Sequence, residues 1–201
     1  SLCNALLALL VWLFLRDTVS DKTGEGQKTK LGASQILAVL RMPTVWLVSI
    51  IVLSSYSAYW GAYYFASYAT DVFGLSVVIG ASVAVGKMWL KPVAAVLAGF
   101  TADKIGVSNT VFYTLSTMTL CFSVFSFLPG GASYLTVMLL TTVIISIGVF
   151  ALRGLYFALL NEGGISRAAT GTAVGIISVI GFSPDVFMPL IGGVLLDAYP
   201  D

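Results

Sequence analysis

Five stretches of this 201-residue chain, at about 44–70, 76–99, 108–128, 134–160 and 169–195, are each apolar over the ~20 residues that a helix needs to cross a bilayer. Only helices and closed barrels satisfy every backbone group in hydrocarbon, and runs of this length exclude the short alternating strands of a barrel. The sequence therefore predicts an all-α membrane protein, a polytopic bundle of transmembrane helices. Residues 1–15, "SLCNALLALLVWLFL", are shorter and lack a cationic start, which reads as a partial span instead of a signal peptide. The segment 16–43 begins with the polar, glycine-bearing "RDTVSDKTGEGQKTK" and reads as a solvated loop. Within it, 33–41 repeats apolar residues at helical spacing before Pro43, as either an interfacial helix or an extension of the next span.

The composition agrees, with 58% hydrophobic and 9% charged residues. A net charge of +1 suggests no nucleic-acid partner. The absence of histidine removes Ser-His and Cys-His catalysis and His-ligated metals, so no catalytic residue, metal or cofactor is expected and an enzyme is disfavoured. Cys3 and Cys121 lie far apart in apolar stretches and read as small buried residues. Arg16, Lys22, Lys28, Lys30 and Arg41, then Lys104, then Arg167 occupy alternate connections, while the others carry no lysine or arginine. The positive-inside rule then places loops 16–43, 99–107 and 161–168 in the cytoplasm of an inner-membrane protein. Glu162 and Arg167, at the last of these loops, read most simply as solvated charges.

Four ionisable residues lie inside the apolar runs, and such residues are expected to face a bundle interior or a water-filled cavity. Lys87 and Lys91 are four apart and share a helix face. Counted from the cytoplasmic ends at ~1.5 Å per residue, Lys87 and Asp185 fall near one depth, and Lys91 and Arg153 near a shallower one. Three cations against one anion invite a negatively charged ligand. Alternatively, Lys87 pairs with Asp185, and Lys91 and Arg153 reach toward the interface. Tyr56, Trp60 and Tyr63, with Tyr59 alongside, form an aromatic face suited to stacking on a ligand and bonding to it. Tyr64 and Tyr68 read as interfacial. Pro92, Pro184 and Pro189 should free the carbonyls of Met88, Ile180 and Asp185 near these charges.

The segment "GFTADKIG" has the form Gly-x-x-x-Asp-Lys-x-Gly, with Gly99, Asp103, Lys104 and Gly106 in a turn between two spans and Asp103 placed to cap the next helix. It resembles the signature loop of the major facilitator superfamily, and the chain as a whole resembles a fragment of that twelve-helix fold from the end of helix six through helix eleven. "LRGLYFALLNEGGISRAATGTAVG" is similar to facilitator proteins near the bacterial organic-anion carriers. The resemblance implies a C-terminal half bundle at 44–201 lacking its last helix, whose partners are a bilayer, a small-molecule substrate, the missing first half and the missing last helix. It also implies a gating role for the signature loop and a cavity lined by the helices that carry the buried charges. The function expected is a secondary, proton-coupled transporter for a small organic anion. Lys87, Lys91, Arg153, Tyr56, Tyr59, Trp60 and Tyr63 would contact substrate, and Asp185 would carry the proton or pair with a lysine. A carrier of neutral sugars or drug-like solutes, or a ligand sensor of the same fold, is the alternative.

Overall fold

The computed structural model describes residues 33–129 and 131–198, so the expected partial span 1–15 and loop residues 16–32 lie outside it. Contacts divide the chain into Ser1–Ala33 and Ser34–Asp201, and the second unit contains the bundle. Its helices are α1 (Ala33–Leu40), α2 (Pro43–Tyr63), α3 (Phe65–Asp71), α4 (Val77–Ile105), α5 (Val107–Ser126), α6 (Leu135–Leu155), α7 (Leu159–Glu162), α8 (Arg167–Gly181) and α9 (Pro184–Ala198). The described residues are all-helical apart from turns.

The helix boundaries follow local chemistry. Met42 is extended (φ −77°, ψ 118°) because a proline follows it, and Pro43 begins α2 where no helical N–H is required. The segment before Pro43 is thus a separate helix, anchored to α2 by Trp46, whose Nε1 donates to the Leu40 carbonyl at 2.7 Å. Ser76 precedes α4 in extended conformation, and its side chain accepts from the Ile79 N–H. Gly106, at φ 88°, separates α4 from α5 in a conformation that a side chain would strain.

The core centres on α6. Ile145, Val149 and Leu152 are buried against Val45, Val48 and Val52 of α2, Val111 and Met118 of α5, and Ala173 and Ile177 of α8. A Cβ on Gly181 would lie 2.4 Å from Val52 Cγ1, so α8 approaches α2 at a distance that only glycine permits. On the other side, α4 buries Gly80, Ala94, Ala98 and Ala102 and turns Val85, Met88, Trp89, Val93 and Val96 outward. Just 11% of its apolar window is buried, against 56% for α6, as suits a helix bordered by hydrocarbon.

Among the described residues, four helical stretches are long and apolar enough to cross a membrane: Pro43–Asp71, Val77–Ile105, Leu135–Leu155 and Ala168–Leu195. The expected third span falls short because α5 is rich in serine and threonine. Thr110, Thr114, Thr119, Ser123 and Ser126 each return a hydroxyl bond to the carbonyl four residues back, so these groups are satisfied within the helix. α5 still runs the length of the bundle. Its first residues bond to Glu162 at one end, and Phe125 stacks on Phe65 (4.9 Å between centroids) toward the other.

Several sequence expectations are corrected here. Gly99, Asp103 and Lys104 do not form a loop; they lie within α4, because Ala94, Ala98 and Ala102 let the helix pack closely to its end, and Gly106 alone makes the turn. The first and last expected spans are interrupted, one at Tyr64 and the other at Phe182–Ser183. The Ile180 carbonyl that Pro184 should have freed accepts the Ser183 hydroxyl at 2.7 Å and the Ser183 N–H at 3.3 Å. Tyr68 packs against Phe73 and Phe125 (5.7 and 5.0 Å), and Tyr64 lies against Gly192 of α9, while both remain partly exposed.

Candidate functional site: a cation-lined cavity

The close packing of α4 against α6 brings its two lysines to one cavity, Lys87 half-buried and Lys91 exposed. Lys87, Lys91, Ala94 and Ala98 fall at i, i+4, i+7 and i+11, one helix face, and the small residues at 94 and 98 are buried. The lysines therefore continue inward the line along which α4 meets its neighbours. From α6, Ser146, Val149, Phe150 and Arg153 face the same space; from α2 come Tyr59, Ala62 and Tyr63. Together with Met88 these residues enclose a cavity of about 180 Å³. A second cavity of about 210 Å³ adjoins it between α4 and α6, and Lys87 and Ser146 line both.

The three cations are held differently. Arg153 is half-buried, with its guanidinium 4.9 Å from the Tyr59 ring centroid and 5.3 Å from that of Tyr56. Stacking on two aromatic faces orients the group, and the Tyr156 hydroxyl lies within hydrogen-bonding reach of it. Lys87, also half-buried, donates to the Ala62 carbonyl at 2.5 Å and stands 5.9 Å from the Phe65 ring. Lys91 lines the cavity from an exposed position. Among the described residues, no carboxylate lines the cavity. The arrangement has positive charge, tyrosine hydroxyls and an apolar floor of Val149 and Phe150, which suits a ligand with an anionic group and a small body.

The expected site residues divide into groups. Lys87, Lys91, Arg153, Tyr59 and Tyr63 meet at this cavity, and Tyr56 reaches it through Arg153 while its ring packs edge-on against Phe182 at 4.9 Å. Trp60 turns away: its Nε1 donates to Asp185 Oδ1 at 2.8 Å, and its ring lines a separate groove of about 570 Å³ between α2, α3 and α9. Asp185 is exposed and does not pair with Lys87: its carboxylate accepts Trp60 Nε1 and also stands beside the Tyr56 hydroxyl, whose ring carries Arg153. Lys87, Lys91 and Arg153 line one space, although Lys87 and Lys91 are a helical turn apart along α4.

One residue gains a role that its sequence context did not suggest. Glu162 accepts from the backbone N–H groups of Val107 (2.7 Å) and Ser108 (2.8 Å), and from the Ser108 hydroxyl. It caps α5 from a different connection, the function expected of Asp103. These bonds, the Ser108 hydroxyl foremost, hold its carboxyl below the usual carboxylate range. A carboxylate followed by two glycines, Gly163 and Gly164, was the available signal, although nothing in sequence named its target. Thr44 Oγ1 donates to Gly163 O at 3.3 Å, so the start of α2, the α4–α5 turn and the loop after α7 share one end of the bundle.

The helical fold and its apolar spans define an all-helical integral membrane protein. It is similar to inner membrane protein YqcE of Escherichia coli (strain K12), with 31% identity over 200 residues, covering 96% of this chain and 47% of that protein. It is also similar to inner membrane protein YihN of the same strain, with 27% identity over 206 residues, covering 100% of this chain and 49% of that protein. The chain thus spans about half the length of the curated relatives it matches. No family model matches it, and no solved structure does. These findings overturn the resemblance to the major facilitator superfamily and its organic-anion carriers: no model of a family matches, the relatives are named only as inner membrane proteins, and the supposed signature loop is helical. The reading as a fragment from helix six to helix eleven falls with it.

Proposed function

We propose that the protein is a secondary transporter for a small organic anion, working by alternating access, with the substrate's charged group held among Lys87, Lys91 and Arg153. The observation that carries this reading is the convergence of three cations on one cavity that, among the described residues, no carboxylate lines. Such charges are costly near hydrocarbon unless something answers them, and an anionic substrate does so intermittently. Tyr59 and Tyr63 supply hydroxyls and aromatic faces for the rest of the ligand. We read the protein as a carrier and not an enzyme. We also place the end bearing Arg41, Lys104 and Glu162 in the cytoplasm, following the distribution of basic residues.

Asp185 is the group to which we assign proton coupling, acting through Trp60 instead of through Lys87. If Asp185→Asn leaves the pH dependence of uptake unchanged, that assignment is rejected. The central test is uptake by the full-length protein in proteoliposomes, using sugar acids, phosphorylated sugars and neutral analogues, in wild type and Lys87→Gln. Loss confined to the acidic compounds supports the reading; equal handling of neutral analogues removes it.

A further inference from the structure

Lys87 does more than line the cavity, because its ammonium bonds to backbone at an interruption between two helices. At Tyr64 the ladder tightens: the Tyr64 N–H turns to the Gly61 carbonyl, three residues back, at 3.2 Å, and α3 starts one residue later. The Ala62 carbonyl, beside this joint, receives Lys87 Nζ at 2.5 Å. Two turns earlier on the same face of α4, a Cβ on Gly80 would lie 2.8 Å from Thr70 Cγ2 and 3.2 Å from the Ala66 carbonyl, so α3 is pressed directly onto α4. One helix face thus holds α3 at Gly80 and the end of α2 at Lys87.

Resting on the anion reading above, we propose that Lys87 is a positioning residue that couples occupancy of the cavity to the geometry of the α2–α3 joint. In this structure the ammonium is engaged by the Ala62 carbonyl, with the Phe65 ring nearby. An entering anion is a stronger acceptor than a neutral carbonyl, since both partners are then charged. The ammonium transfers to it, the Ala62 carbonyl loses its side-chain donor, and the joint at Tyr64 loosens. α3 then shifts against α4, by the ~1–2 Å typical of helix movements in such switches. Lys91 and Arg153 attract the same anion without touching this joint, so the coupling is specific to Lys87.

Hydrogen exchange on the full-length protein in nanodiscs, with and without glucuronate or inorganic phosphate as probes, reads the joint directly. In the wild type a bound probe should raise amide exchange over residues 64–68 by about tenfold, the low end of what a hydrogen bond to a charged group contributes. Lys87→Met should show that faster exchange without any probe and no further change with one. Lys87→Arg, which keeps charge and donor, should retain wild-type protection. Lys91→Gln should weaken probe binding and leave the probe-free joint as in wild type. A probe that binds while residues 64–68 stay protected overturns the coupling alone, as does wild-type protection in probe-free Lys87→Met. Failure of every probe to bind overturns the anion reading and this inference together.

Discussion

The cavity between α2, α4 and α6 and the bundle end around Glu162 both carry charge, but they use it in opposite ways. Glu162 is largely spent: its carboxylate receives three donors from one helix start, out of about four acceptor sites. Lys87, Lys91 and Arg153 are held instead by a carbonyl, aromatic faces and exposure, and among the described residues the lining of their cavity offers no anion. The difference separates a charge that builds the fold from charges that wait for a partner. How fully the hydrogen-bonding capacity is used decides between the two, and formal charge and depth do not.

The contrast breaks most visibly at Arg153. Arg153→Gln should lower uptake of acidic substrates by about 100-fold, consistent with losing a charge-assisted contact of ~1.5–3 kcal/mol, and should leave neutral analogues unaffected. Initial-rate uptake in proteoliposomes reads this. Lys91→Gln, which removes a more exposed charge, should cost less, about tenfold in the same assay. If Lys91 proved the larger effect, the site would lie nearer the cavity mouth than drawn here.

At the other region the effects fall on stability. Gly106→Ala places a side chain at φ 88° and should destabilise by ~1–2 kcal/mol, seen as a lower unfolding midpoint in detergent with transport affinity retained. Glu162→Gln should lower the midpoint modestly and remove a pH dependence. Because the folded pKa of Glu162 is depressed, its contribution is fully present above the unfolded value of about 4.3 and is lost as pH falls through the lower folded value. The wild-type midpoint should therefore decline on acidification more steeply than that of Glu162→Gln. Smallest of all, Trp60→Phe removes only the bond to exposed Asp185 and should leave anion affinity within about twofold of wild type, because the residue lines the other groove. A loss matching that of Arg153→Gln would merge the two grooves into one site.

Much of the bundle was legible because membrane helices obey a length rule and because Pro43, Ser76 and Gly106 mark their ends locally. The shortfall at α5 was harder to anticipate, since its hydroxyls lower its apolarity yet are satisfied inside the helix. Lys87 and Lys91 could be paired by spacing alone. That Arg153 joins them, while Trp60 and Asp185 leave together, depends on how α2 packs between α6 and α9. The apparent signature at Gly99–Gly106 misled because the same residues also suit a helix end packed on alanines.

By itself the sequence determined that the chain forms membrane helices, where most of them begin, and which ionisable residues lie within them, because these depend on apolar length and on conformational limits of single residues. The tertiary structure alone decided which charges are answered. Glu162 and its donors are 54 and 55 residues apart, Lys87 and Ala62 are 25 apart, and Trp60 and Asp185 are 125 apart. A hydrogen bond forms within about 3 Å whatever the separation along the chain, so only packing brings such partners together.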